Sequence, residues 1–524
     1  MRARRSVVVL GSGAAGMAAA VAAATCGADV TVLEAAPQLG GTTATSGGAA
    51  WIPNNPWAAA AGVEDSADDA LRYLAAIMEH GGEDVLARAF VSNGVRVARA
   101  MEATTPVRWR PLVGFPDYRS DLDGAVGDRS LEIGPVEVGL EALARVRLNP
   151  YGWPETTIGE EGEGGPHPDE IEARRRGGIA TRGRGLIGAL YATLLELGGT
   201  VHTQLAPDRL LLSGDAVVGV SAGGREISGQ VIVASGGFER NAELVSCFLS
   251  GPMSAPAGPP SNTGSALLMC LQAGAAVANM GDAWFVPAMR VPGESIDGAP
   301  FFRMLFTVCA KPGGIIVDRN GQRFVNEALA YYGLGRSLHY FDAASFSFPR
   351  CPSWFVFDAL RRHEGGIGPL AAQSDDPDWL IRADSIEMLA QRMGVPAREL
   401  EGSVARFNAQ AAAACDGDFG RGQSEWDRYS IGHTTTGASL RGLTEPPFYA
   451  IELLAGCSGT KGGLRIDERA RVRRWDGCDV VSGLYAAGNA VAYPFGRGYP
   501  GPGATIGPAL VFGWLAGEGA AASG

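Results

Sequence analysis

Cysteine and histidine are scarce in this 524-residue chain, and neither is arranged for chemistry. The eight cysteines form no CxxC pair and no Cys/His ligand spacing. That fits reduced thiols and a cytoplasmic setting rather than a disulfide framework. The six histidines also lack metal spacing, so no metal is expected. Positive charge is short as well: 44 Lys and Arg stand against 56 Asp and Glu, a net charge of −12. Without a basic face the chain has little to neutralise phosphates, which argues against nucleic acid as a partner. The one basic cluster, Arg174-Arg175-Arg176 with Arg182 and Arg184, reads as a solvated face or loop. The small-residue stretch between Gly16 and Gly27 is too short to cross a bilayer, so no transmembrane segment is expected. Met1-Arg2-Ala3-Arg4-Arg5 before an apolar run imitates a signal sequence. The run turns glycine-rich at once, so it is expected to stay with the folded chain.

Glycine, by contrast, is abundant: 75 residues with no short repeat, roughly twice the average share. That points to many close approaches of backbone to ligand. The length makes two domains the prior.

The densest glycine signal is N-terminal. Val7-Val8-Val9-Leu10 reads as a buried parallel strand. In Gly11-Ser12-Gly13-Ala14-Ala15-Gly16, Gly11 permits the tight turn, Gly13 lets a pyrophosphate approach, and Gly16 lets the next helix pack on the strand. That helix start offers N–H groups and a positive dipole end to phosphates. A second strand over 29–33 ends at Glu34, where an acid accepts hydrogen bonds from an adenosine ribose. An isolated glycine turn would not come with strand, helix, strand and acid in this order. Gly40-Gly41-Thr42-Thr43 and Ser46-Gly47-Gly48 add a second backbone approach to the same cofactor, which favours FAD over NAD. Ala49-Ala50-Trp51-Ile52-Pro53-Asn54-Asn55-Pro56 is expected to lie along the flavin.

Farther on, helices are expected from about Ser66 and over 83–101. The segment 149–178, rich in Gly, Pro and Glu, reads as a mobile lid or a surface excursion. A helix over 185–197, a strand over 200–205 and a small antiparallel insertion (209–212, 216–222) follow. The run 230–237 reads as a buried strand rejoining the nucleotide sheet, with Ala234 and Gly236 close to the cofactor. From Trp284 aromatics, prolines and short strands appear, including 314–318, 323–326 and 353–358. Further strands are expected over 448–453 and 462–467. The segment 483–488 closes the flavin domain and brings Gly488 and Asn489 to the cofactor. The expected fold class is α/β: a discontinuous, Rossmann-like FAD-binding domain (1–283 and 448–524) with a second α+β catalytic or substrate-capping domain (284–447).

In residues 497–508 prolines fix φ and intervening glycines free it. The expected result is a rigid loop before a helix at about Thr505, with Ala504 and Ile506 at the cofactor. A helix N-terminus suits the electron-rich end of a reduced flavin. Tyr499, held by this loop, can donate a hydrogen bond to a substrate oxygen. A Pro-Gly turn with a packed tyrosine is the plain alternative.

With these motifs, and with Asn326-Glu327-Ala328-Leu329-Ala330-Tyr331 and Gly459-Thr460-Lys461-Gly462-Gly463-Leu464, the chain resembles the FAD-dependent 3-ketosteroid Δ1-dehydrogenases of the fumarate reductase flavoprotein superfamily. The resemblance covers nearly the whole chain, and Tyr499 to Pro508 is its most specific part. It implies desaturation of a cyclic ketone, a 3-ketosteroid first and a smaller cyclohexanone or oxocyclohexanecarboxylate as the alternative. It implies non-covalent FAD and an electron acceptor of unknown identity. It assigns Tyr499 O–H and the Gly503 N–H to the carbonyl, Tyr331 to proton abstraction and Tyr118 to its assistance. A hydrogen bond to the phenolate is expected to lower the base's pKa. Tyr332 adjoins Tyr331, so the base could be either. Arg303 could meet a substrate carboxylate or stand at the surface. Two other readings compete: a fumarate-reductase-like enoate reductase, which would want His and Arg on a dicarboxylate, and a flavin-binding redox sensor.

Overall fold

The computed structural model describes residues 5–78, 82–432, 436–476 and 479–522. Among them one sheet runs in the order Arg471–Arg473, Val480–Ala486, Gln230–Val233, Ser6–Leu10, Asp29–Leu33, Thr200–His202. Neighbours are parallel except at the Arg471–Arg473 edge. The β-branched run Val7-Val8-Val9 is buried on both faces, as a central parallel strand should be. Helix Ala14–Thr25 follows the first strand and is buried on nearly every side. Its alanines explain this, because the C-terminal helix Ile506–Ala522 packs flat against it. A Cβ on Gly513 or Gly517 would strike the Ala15 or Ala19 carbonyl.

Strand Val480–Ala486 pairs with Gln230–Val233, so the nucleotide sheet is completed by the chain's far end. A second sheet is built around the long strand Phe448–Thr460. One part of this strand pairs with Ser353–Phe357 and Ile381–Ala383, the other with Ala283–Ile296. The second sheet therefore runs past residue 447, through Thr460. No described helix is long and apolar enough to cross a membrane. Seven cysteines are free, and Cys478 lies outside the described residues.

Several expectations change. The insertion has a third strand, Arg225–Ser228. The run 323–326 forms only a bridge from Arg323 to Val317. Its side chains join a buried ion network instead, in which Arg323 pairs with Glu327 and Asp416. The run 462–467 contributes only Gly463–Leu464 as a strand. The segment 149–178 carries two helices, Ile158–Gly162, opened by a Thr157/Glu160 capping box, and Pro168–Arg176. The basic cluster divides: Arg175 and Arg176 are exposed, as expected, whereas Arg174 is buried against Glu160 and Glu170, Arg184 pairs with Glu155 and Arg182 with Glu161.

Candidate active site

One cavity joins the glycine cradle to the C-terminal loop. Gly11 stands at φ +102°, and a Cβ there would lie 2.5 Å from the Ala234 oxygen. Chain packing thus demands that glycine. Gly13 and Gly41 differ: a Cβ on Gly13 would meet nothing nearer than 3.8 Å, and one on Gly41 nothing within 4 Å. Both line the cavity, so a side chain at either would take up cavity space rather than strike the chain, and Gly41 also stands at φ +50°. Helix Ala14–Thr25 starts there with no cap from Gly13; the Ala14 N–H donates to the Thr43 hydroxyl at 3.1 Å, and the positive end of the helix dipole suits an anion. Glu34 is 6% exposed at the same end. Its Oε2 accepts from the Ser12 N–H (3.0 Å) and hydroxyl (2.6 Å), and its Oε1 from the Ala36 N–H (2.8 Å). These features fit a dinucleotide bound through backbone and carboxylate.

Ser12, Ala14, Ala15, Thr42, Thr43, Ser46, Gly47, Gly48, Ala234, Gly236, Gly488, Asn489 and Ile506 also face the cavity. Gly16, Gly40 and Ala504 do not. Gly16 packs on the Gly11 carbonyl and Gly40 on Ala44 and Ile187. The Ala504 carbonyl accepts from the Tyr493 hydroxyl. Trp51 is another correction. It is buried behind the loop, stacked on Phe90, with its indole N–H on Asp117; of the stretch 49–56 only Ala49 lines the cavity.

The loop from Arg497 to Ala504 is clamped carbonyl by carbonyl. The buried Lys461 ammonium donates to the carbonyls of Arg497 (2.7 Å) and Gly498 (2.9 Å). The Pro500 carbonyl accepts from the Tyr73 hydroxyl (2.6 Å) and the Tyr118 N–H (2.9 Å). The Pro502 carbonyl accepts from Ser130 (2.6 Å), and the Gly503 carbonyl from the Trp51 N–H (3.1 Å). Gly503 has φ +83°, with Ala49 backbone 2.5 Å from where a Cβ would stand. Its N–H has no hydrogen-bond partner among the described residues, and Gly503 lines the cavity.

Tyr118, Tyr331 and Tyr499 meet at this wall. The Tyr331 and Tyr499 hydroxyls are 2.6 Å apart. Tyr118 stands edge-on to both rings, 5.8 Å from Tyr331 and 5.0 Å from Tyr499. Tyr332 turns away: its hydroxyl donates to the Arg497 carbonyl at 2.7 Å, and Tyr331 alone of the two lines the cavity. Burial drives the phenols of Tyr118 and Tyr331 well above the ordinary range, and neighbouring phenols push Tyr331 further. Tyr499 is raised by burial but opposed by hydrogen bonds from Thr505, Tyr331 and Tyr118. The lowering expected for Tyr331 is therefore absent: desolvation in this aromatic pocket raises its pKa, and its hydrogen bonds to Tyr499 and Tyr118 raise it too.

Arg303 is held by Glu294 at 2.7 and 2.6 Å and is not on the cavity wall. The sequence did not mark Phe115, Trp153, Met304, Phe306, Trp426 and Arg182, which line the same cavity as the tyrosines. No motif marks them; only folding brings these separate segments together.

Three comparisons bear on this geometry. Residues 6–506 match the FAD binding domain family model. The chain is 38% identical to 4-oxocyclohexanecarboxylate 2-dehydrogenase of Sinomonas cyclohexanicum, over 99% of this chain and 93% of that one. It is 34% identical to 3-oxosteroid 1-dehydrogenase of Mycobacterium tuberculosis, over 97% of each. Among solved structures, 3-ketosteroid Δ1-dehydrogenase from Sterolibacterium denitrificans in complex with 1,4-androstadiene-3,17-dione superposes with a TM-score of 0.91 at 31% identity. That match covers 99% of this chain and 100% of the other.

Proposed function

Because the chain belongs to the FAD-dependent 3-ketosteroid Δ1-dehydrogenase family, an oxidoreductase family acting on cyclic ketones, we propose that it desaturates a six-membered ring ketone between its α and β carbons. That ring is the A ring of a 3-ketosteroid or a free cyclohexanone. The observation that carries the reading is the pair of donor residues on one wall. Tyr499 and Gly503, whose N–H has no partner among the described residues, line the same cavity as Tyr331.

A ketone oxygen between these donors gains hydrogen bonds that strengthen as enolate charge develops. Tyr331, on the facing helix Tyr331–Ser337, first gives up its own proton by way of Tyr118, which stands edge-on to it, and the resulting phenolate takes the α proton. Bound FAD supplies the acceptor for the β hydride. Residues of the cradle hold its pyrophosphate and ribose, and the aromatic wall excludes water from the reacting carbons. The clamped loop gives the two donors a fixed spacing before substrate arrives, so little reorganisation is left for the transition state.

The test is anaerobic flavin bleaching. The yellow holoenzyme is mixed with 4-androstene-3,17-dione, with cyclohexanone and with 4-oxocyclohexanecarboxylate. Bleaching with formation of the α,β-unsaturated ketone is the expected result. An enzyme that no ketone bleaches, but that once reduced is reoxidised by fumarate, would be a reductase instead.

A further inference from the structure

We propose that Arg182, with the wall made by residues 149–178, is a subsite for a carboxylate carried on the ketone's ring, so that the preferred substrate is a small cyclic oxo-acid. This rests on the ketone reading above and names the substrate class within it.

Among the described residues lining the cavity, the charged ones are Glu34 and Arg182. Glu34 belongs to the nucleotide end, where Ser12 and Ala36 hold it. Arg182 is 8% exposed. Its Nε donates to the Thr156 carbonyl at 2.8 Å, and its Nη2 reaches the Thr156 hydroxyl (3.3 Å) and pairs with Glu161. Its guanidinium lies 4.7 Å from the centre of the Trp153 ring. One edge of the fork is thus taken. Nη1 has no partner among the described residues.

The arginine is held rigidly. It occupies φ +55°, a strained region for a non-glycine residue. A Cβ on Gly48 would press on its backbone, and one on the adjoining Gly183 would strike the Thr43 carbonyl. The chain gives up side chains at both glycines to seat Arg182 against the 43–48 strip. An aromatic path joins it to the proposed base. Tyr331 meets Phe306 at 5.1 Å, Phe306 meets Tyr151 at 6.3 Å, and Tyr151 stacks on Trp153 at 4.9 Å. Tyr331, Phe306, Trp153 and Arg182 line the one cavity, so a ketone held at the tyrosines can turn a ring substituent toward the guanidinium. A fixed guanidinium with an open N–H edge, in a poorly solvated cavity, matches a carboxylate. Hydrocarbon there would desolvate Nη1 without repayment. Trp153 and Ile158, both in the 149–178 segment, line the cavity, so the segment serves as a wall of the site.

The experiment uses the FAD-loaded enzyme and an artificial electron acceptor. It compares kcat and KM for 4-oxocyclohexanecarboxylate, its methyl ester, cyclohexanone and 4-androstene-3,17-dione. The wild type should prefer the acid to its ester by roughly ten- to a hundredfold in kcat/KM. Arg182→Met should collapse that ratio, chiefly through KM, while still binding FAD. Glu161→Gln, at a residue 45% exposed, removes a competing anion and should lower KM for the acid but not for the ester. Its result stands even if Arg182→Met does not fold. A wild type that turns over the ester or the steroid as well as the acid overturns the subsite and leaves the ketone reading intact. So does an Arg182→Met enzyme that loses FAD and slows on every ketone alike. Failure with all four ketones would bring down both readings.

Discussion

The hydroxyls of Tyr331 and Tyr499 lie 2.6 Å apart across 168 residues of chain. One opens a helix under the second sheet, and the other rides on the proline-glycine loop before the C-terminal helix. Either hydroxyl can donate in this hydrogen bond. When Tyr499 turns its hydrogen to a ketone oxygen it can still accept from Tyr331, so the pair ties the carbonyl donor to the proposed base.

Removing either hydroxyl should separate the roles. Tyr499→Phe takes one donor from the carbonyl site and should cost about 10²–10³ in kcat, the range for one oxyanion-hole donor. Tyr331→Phe should lower kcat by at least about 10²–10⁴, the usual contribution of a positioned base. Both should keep bound flavin, read from its absorbance after gel filtration. Turnover that survives Tyr331→Phe would move the base elsewhere.

The rate should climb with alkalinity. Burial holds Tyr331 and Tyr118 neutral well above the ordinary tyrosine range. The ionised fraction of a base then rises about tenfold per pH unit below its pKa. Log kcat/KM should rise with pH through neutrality without a plateau, and Tyr331→Phe should flatten the rise. Stability has the opposite sign. A phenol whose folded pKa exceeds its unfolded one stabilises fully below about pH 10, and that contribution is lost as pH rises toward the folded value. Denaturant midpoints should therefore fall above that pH.

Much of the cradle was legible in sequence because backbone chemistry wrote it there. A pyrophosphate site needs particular glycines at particular offsets, and strand, helix and acid must follow in order. The tyrosines were legible only through a resemblance, since an aromatic residue has no spacing rule of its own. Arg182 was not legible: in the sequence it is one of five arginines in a polar stretch. Its isolation from water depends on Trp153, Thr156 and a left-handed backbone angle. The base's pKa was misjudged for a similar reason. Sequence names the hydrogen-bond partners, whereas desolvation is a property of the closed pocket.

Lys461 should prove to be a positioning residue for the donor loop. Its amine is buried on the carbonyls of Arg497 and Gly498, 3.7 Å from Asp282 and 4.0 Å from the Tyr332 ring centre. Lys461→Met leaves the Gly498 carbonyl without its donor, a cost of about 1–3 kcal/mol. The variant should melt earlier and lose kcat more than KM. Desolvation lowers the lysine's pKa to about 7. Between there and its unfolded value near 10.4 the unfolded chain binds more protons, so wild-type stability should rise with pH across that window. Lys461→Met should erase the rise.

Gly13 and Gly503 should fail in different ways when given a methyl group. At Gly13 the added Cβ points into the cradle and meets no chain atom nearer than 3.8 Å. Gly13→Ala should therefore fold as well as wild type without cofactor, while its FAD affinity falls and the purified protein is pale. At Gly503 the added Cβ would lie 2.5 Å from Ala49 backbone, on a residue at φ +83°. Neither backbone can yield, because the loop is clamped on both sides. Gly503→Ala should stay yellow but displace the carbonyl donors, losing kcat with little change in flavin content. Thermal scans of apo and FAD-loaded protein distinguish the two variants. A Gly13→Ala apoprotein that melts well below wild type would mean that the cradle is shaped by the chain's own packing rather than by the cofactor's phosphates.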